Sequence, residues 1–283
     1  MLAELNHVKK TYKDFQLDCS LSVREDCVTG LIGANGAGKS TTFKSILGLV
    51  YPESGEIRLF GKDRSGITVK DKEDIGTVLG GSGFSDFLTV KQIQKIMRDF
   101  YPKFHGDEFE KNCVRFRIPM DKKVKDFSSG MKAKLRVLLA VSHEARLLIL
   151  DEPTAGLDVT AREDILDLLR EYVETPGRGI LISSHISADL EQFCDDIYMI
   201  HQGKIVLHEE TDRILENYGV VKVSAADYEK LDRRAILRVK KESFGYSCLT
   251  DQRQFYLENY PGLAVEKGSV DEVISMMVRG EEL

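Results

Sequence analysis

The spacing of apolar residues divides the chain into short strand and helix signals. Residues 2–8 alternate as an edge strand does, and Phe15–Val23 sets Phe15, Leu17, Cys19, Leu21 and Val23 on one face of a second strand. The run CVTGLI, Cys27–Ile32, is apolar throughout, as a strand covered on both faces requires. An apolar helix is predicted over 41–49, a turn over 51–55, a strand over 56–60 that stops at Gly61, and a core strand over 74–79. Helical spacing follows at 89–100, where Val90, Ile93, Ile96, Met97 and Phe100 share one side behind a capping Thr89. Further helices are predicted at 107–116, 132–141 and 161–172, with short buried strands at 147–150 and 179–183. Residues 194–200 and 204–207 predict a hairpin through His201-Gln202-Gly203, followed by a helix over 211–218 closed by Gly219. Past Gly219 the pattern gives strands at 235–239 and 263–267 and helices at 251–259 and 269–278, a small α+β unit.

A chain of 283 residues can bury a large core and still carry a smaller second unit. Its 40 basic residues against 46 acidic ones, a formal charge of −6, argue against bulk nucleic-acid binding. No apolar run approaches the ~18 residues of a membrane span, and residues 1–10 lack a signal peptide's apolar centre, so a cytoplasmic location is expected. Five widely spaced cysteines without a CxxC pair are expected to be free thiols rather than disulfides or zinc ligands. Gly80-Gly81-Ser82-Gly83 reads as a mobile linker, and the basic stretch 122–125 as a solvated face.

Five places carry chemistry. GANGAGKSTT, residues 33–42, follows the apolar run with the spacing GxxxxGKS. Such a loop can aim backbone N–H groups at phosphates, with Lys39 reaching the β and γ phosphates and the Ser40 hydroxyl binding Mg²⁺. The strand 147–150 ends in Asp151-Glu152, where one carboxylate can order the shell of Mg²⁺ and its neighbour polarise an attacking water. His185 stands at the end of 179–183 and can hydrogen-bond a γ phosphate or that water. FSSGM, 127–131, either caps the helix behind it or offers N–H groups to an anion, and Tyr12 is either rim packing or a stacking surface for a purine.

Taken in order, these motifs resemble the ATP-binding subunit of ATP-binding-cassette (ABC) transporters over residues 1–218. The loop at 33–41 resembles Walker A, FSSGM the signature usually written LSGGQ, LLILDEPTAGLD at 147–158 the Walker B strand, catalytic glutamate and D-loop, and SSH at 183–185 ends in the switch histidine. The resemblance implies an α/β P-loop NTPase fold: a two-lobed cassette with a helical lobe at about 84–143, followed by a small α+β extension, 219–283. It implies ATP bound by Gly33, Asn35, Gly36, Gly38, Lys39, Ser40 and Thr41, with the adenine stacked on Tyr12. Two cassettes, identical or homologous, would pack head to tail, so that Ser128 and Gly130 touch the γ phosphate across the interface and Asp158 aligns the opposing chain. Glu152, His185 and Lys39 would be catalytic, and Ser40 and Asp151 would hold Mg²⁺. A separate transmembrane permease is the implied partner, which would place the chain on the inner face of the membrane.

Two motifs depart from the family pattern. The position of the Q-loop glutamine is Gly80, so water or another residue must complete the metal shell. In the signature, Ser129 replaces the first paired glycine and Met131 the glutamine, whose amide hydrogen bonds methionine cannot make, while Gly130 is kept. The GM of the signature and the YGV-containing tail resemble single-cassette bacterial exporters of the antimicrobial-peptide resistance or peptide efflux type. The competing expectations are an ATP-gated regulatory cassette with weak hydrolysis and a soluble cassette outside transport.

Overall fold

The computed structural model describes residues 1–80 and 83–282. Its ten-stranded mixed sheet begins with the antiparallel pair β1 (Ala3–Tyr12) and β2 (Phe15–Val23), then β3 (Cys27–Ile32), β4 (Ser54–Leu59) and β5 (Lys62–Asp63). It continues with β6 (Ile75–Val78), β7 (Leu147–Asp151), β8 (Gly179–Ser184), β9 (Asp196–His201) and β10 (Lys204–Glu210). The order across the sheet is β5-β4-β1-β2-β10-β9-β3-β8-β7-β6, and the block β9-β3-β8-β7-β6 is parallel. The strand expected at an edge is therefore internal. The later β4–β5 hairpin pairs outside β1, with Ala3 opposite Leu59, a partnership that the local alternation of residues 2–8 does not encode.

Both faces of the parallel block are covered, as such sheets require. Leu147, Ile149 and Leu181 pack on one side with Phe43 and Ile46 of α1 (Lys39–Ile46); Leu148, Leu150, Ile180 and Ile182 pack on the other with Ile165 and Leu169. Between β5 and β6 lies the short α2 (Val69–Glu73). Between β6 and β7 lie α3 (Val90–Phe100), α4 (Gly106–Arg115) and α5 (Ser129–Val141), the expected helical lobe. Thr89 caps α3 reciprocally with Gln92, and Val90, Ile93 and Met97 are buried; Phe100, the last residue of the helix, is exposed. Gly81 and Ser82 of the expected linker lie outside the described residues.

α6 (Val159–Val173), α7 (Ser187–Phe193) and α8 (Thr211–Asn217) complete this part. Gly219 does not close α8. It opens β11 (Gly219–Val223), paired with Thr250 on one side and Lys267 on the other, where a Cβ would meet the Glu266 carbonyl at 2.8 Å. α9 (Ala225–Tyr228), β12 (Ile236–Glu242), β13 (Gly245–Thr250), α10 (Arg253–Asn259), β14 (Ala264–Lys267) and α11 (Val270–Arg279) follow. The four strands form an antiparallel sheet in the order β12-β13-β11-β14. Its faces have different fates: Val220 and Leu249 are paired and join the large core with Leu190, Phe193, Val270 and Val273, whereas Val221 and Cys248 join a separate small core with Tyr228 and Tyr256.

Candidate nucleotide site

Three adjacent parallel strands bring the chemistry to one edge. In the ladder Ile32 lies beside Ser184 and Asp151 beside Ser183, so the residues after β3, β7 and β8 emerge together at the carboxyl ends of the strands. Gly33 turns the chain where any Cβ would strike the Ile200 carbonyl of β9, and Gly36 and Gly38 adopt positive φ of 80° and 122°. Nothing lies within 4 Å of a Cβ at Gly36, so that side of the loop, with Asn35, is open. The helix α1 starts at Lys39 without a side-chain cap, two residues earlier than its apolar pattern predicts, which leaves its first N–H groups free for an anion. Thr41 lies in its first turn, and the Thr42 hydroxyl donates back to the Gly38 carbonyl at 3.0 Å.

Lys39 is 6% exposed. Its Nζ donates to the Gly33 carbonyl at 2.6 Å and the Ala34 carbonyl at 3.4 Å and lies 3.7 Å from Glu152 Oε1. The Ser40 hydroxyl donates to Asp151 Oδ2 at 2.7 Å. His185 Nδ1 is hydrogen-bonded to Glu152 Oε2, so one carboxylate bridges the lysine and the histidine. Glu152 itself has φ of 51°, in the left-handed region that a non-glycine residue occupies only when its surroundings impose it. The hydroxyl and carboxylate of Ser40 and Asp151 are hard oxygen donors already brought together, a set that fits Mg²⁺, which takes few carboxylates and keeps its water. An ammonium held by carbonyls beside an open glycine loop fits a phosphate.

The remaining predicted residues are spread around this centre. Tyr12, at the end of β1, is 43% exposed, with its ring 6.2 Å from that of Phe15; a cleft of about 430 Å³ between Phe15, Asn35, Gly36, His201 and Gln202 lies beside the phosphate loop. Ser128 caps α5, accepting the Met131 N–H at 3.2 Å, and Asp158 caps α6, accepting the Ala161 N–H at 2.8 Å. A Cβ on Gly130 would sit 3.3 Å from Leu157, so the signature turn touches the D-loop turn of its own chain. No hydrogen bond joins Ser128, Gly130 or Asp158 to the Lys39 centre among the described residues. A Cβ on Gly80 would point into open space, and among the described residues no neighbour fills the place of a longer side chain there.

Sequence reasoning missed two supports. Ser183, fully buried, donates to Asp151 Oδ1 at 2.7 Å; it lies inside the SSH motif, but a serine in an apolar strand carries no further signal. Asp189 on α7 accepts from the Thr154 hydroxyl at 3.3 Å and pairs with Arg162 at 3.4 Å. Burial pushes its carboxyl above the ordinary range, against the pull of Arg162.

Comparison with known proteins fits this geometry. Residues 17–155 match the family model described as ABC transporter. The ABC transporter ATP-binding protein YtrB of Bacillus subtilis (strain 168) is 32% identical over 223 residues, covering 77% of this chain and 75% of that protein. The chain belongs to the ABC transporter family. The bacitracin transport ATP-binding protein BcrA of Bacillus licheniformis is 34% identical across 66% of this chain and 62% of its own length. A solved ATP-binding subunit of an ABC transporter superposes with a TM-score of 0.68 at 29% identity, covering 76% of this chain and 92% of that one. As an ABC ATP-binding subunit the protein is a motor component that hydrolyses ATP and works with a permease. None of its described helices is long and apolar enough to cross a membrane.

Proposed function

We propose that residues 1–218 form a Mg²⁺-dependent ATPase that drives export of peptides or peptide antibiotics through a separate permease, with 219–283 as an accessory unit. The observation that carries the chemistry is the convergence of Lys39, Ser40, Asp151, Glu152 and His185 at one sheet edge. Lys39 offsets charge on the leaving phosphates, and Glu152 positions or deprotonates the attacking water while His185 orients it against the γ phosphate. Ser40 and Asp151 would hold Mg²⁺, whose charge would offset that of the phosphates. Tyr12 stacks on adenine. Ser128, Gly130 and Asp158 serve a second cassette, the same chain or a homologue, packed head to tail; closure excludes bulk water from the site.

The permease reading rests on a surface. Clefts of about 420 and 850 Å³ meet at Thr77 and Tyr101, between the sheet and the helical lobe. At their rim Leu49 and Tyr51 are 63% and 75% exposed, an apolar surface that asks for a partner. Arg64, Lys72 and Arg136 line the same clefts with no carboxylate in ion-pair reach among the described residues, which favours a docking helix that carries acidic side chains. The cargo reading is supported by the likeness to a bacitracin transport protein.

The test is ATP turnover by the purified chain, alone and with a co-purifying permease. Permease-stimulated turnover upholds the motor. Tight ATP binding with negligible turnover in both preparations would replace it by an ATP-gated regulatory cassette, the reading that the bare Gly80 favours.

A further inference from the structure

Ser183 is wholly shielded from solvent at the end of β8, one ladder position across from Asp151. Its hydroxyl has one proton to give and lone pairs to receive. The proton goes to Asp151 Oδ1 at 2.7 Å, and a lone pair accepts the Glu152 backbone N–H at 3.0 Å. The Ser183 carbonyl accepts the same N–H at 3.2 Å, so the Glu152 amide is held from both ends of one residue. Meanwhile Ser40 occupies the other oxygen of Asp151, Oδ2, also at 2.7 Å.

Resting on the ATPase reading above, we infer that Ser183 is a positioning residue that sets both acidic side chains of the site at once. By tying off Oδ1 it fixes the rotation of the Asp151 carboxylate, so that Oδ2 faces Ser40 and the metal position. By holding the Glu152 N–H it stabilises the left-handed backbone from which the Glu152 side chain reaches both Lys39 and His185. A relaxed extended backbone at Glu152 would turn that carboxylate away from the pair. Ser183 makes no hydrogen bond to Lys39 or His185 among the described residues, and being buried beside the two acids it acts through them. Function therefore depends on its hydroxyl rather than on its size.

Ser183→Ala and Ser183→Cys separate the two, because alanine removes the hydroxyl and cysteine fills the site with a slightly larger group that is only a weak donor. Both are expected to lower kcat about 10- to 100-fold, the scale of a hydrogen bond to a charged group, with KM and nucleotide affinity within about twofold of wild type. A second readout needs neither nucleotide nor turnover. Amide hydrogen exchange at Glu152 in the nucleotide-free chain should quicken about tenfold in both variants, while Leu148 and Ile149 in the middle of β7 keep their protection. If either variant retains kcat within twofold, or loses nucleotide affinity in step with kcat, the inference is overturned. Uniform loosening of β7 would reduce Ser183 to a packing residue and overturn it as well. A wild-type chain without turnover would remove the ATPase reading instead, and the exchange at Glu152 would still decide the clamp.

Discussion

Residues 1–218 bury Lys39, His143, Asp189 and Asp196, whereas the sheet and helices of 219–283 bury no charged residue among those described and, tyrosine hydroxyls aside, hide only Ser247 and Thr250 as polar side chains. A buried charge without partners costs several kcal/mol, so each of the first group is surrounded by carbonyls, hydroxyls or counter-charges. The second region needs no such devices. Its strands pair antiparallel over valines, tyrosines and Cys248, and its two-faced sheet is explained by apolar packing alone. Burial of charged groups thus separates the two regions, and the tail packs on the motor through its Val220–Leu249 face.

Glu152→Gln is the strongest way to test that division. The amide keeps the shape and loses the base, so turnover should fall about 10²- to 10⁴-fold while ATP binding persists, read by phosphate release beside a nucleotide-binding titration. Exchange protection in 219–283 should not move. Unchanged turnover would remove Glu152 from the proposed role.

Next in size are two cavities that tell the faces of the small sheet apart. Leu249→Ala opens the shared core at a cost of about 2–5 kcal/mol and should lower the melting transition of the whole chain. Tyr256→Ala opens the local core for about 3–5 kcal/mol and also removes the 2.6 Å bond from its hydroxyl to the Asp232 carbonyl. Its loosening should stay within 219–283 by amide exchange. Equal loss of protection across the ten-stranded sheet would show that the two regions are one cooperative unit.

A smaller effect probes the seam. Glu191 on α7 accepts the Val270 N–H at 2.6 Å and so caps α11, while α7 begins two residues after His185. Glu191→Ala should cost about 1 kcal/mol, seen as severalfold faster exchange at Val270, with turnover little changed. A tenfold fall in turnover would break the division, because the tail would then be acting on the switch histidine.

How far the sequence carried these conclusions varies with the range of the interaction. The strands around Cys27–Ile32, Leu147–Asp151 and Gly179–Ser184 were legible because full burial on two faces leaves an unbroken apolar run. The cap at Thr89 was legible because it is local. The internal place of β1 was not, since its outer neighbours come some fifty residues later, and Gly219 misled because the same residue type serves a helix end and a close sheet contact. In the site, Lys39, Ser40, Asp151, Glu152 and His185 stand in recognisable strings. Asp189 does not, and Ser183 stands in the SSH string without a role that the string reveals, because the meaning of both lies in what they face across the fold.

The smallest expected effect concerns acid. All six histidines lie before residue 219, and among them His143 is buried just past the end of α5, its ring tilted against that of Tyr101 with centroids 4.3 Å apart. Its Nδ1 faces the Leu139 carbonyl at 3.2 Å and its Nε2 the Ile75 carbonyl at 3.3 Å, so it ties the signature helix to β6. Burial lowers its pKa against the pull of those carbonyls. The sign follows from that lowering. As pH falls through the ordinary histidine value of about 6.5, the unfolded chain takes up the proton before the folded one, so stability drops; it levels off once the folded residue is protonated too. Above about pH 7 the contribution is complete. Melting curves from pH 8 to 5 should therefore show an acid-side loss that His143→Gln reduces, since glutamine cannot titrate. Because the tail holds no histidine, exchange within its local core around Tyr256 should be flat over the same range after correction for intrinsic rates. An acid-side loosening of that core in step with the helical lobe would mean that protonation near the signature is transmitted to the tail, and the two regions would then be one cooperative unit.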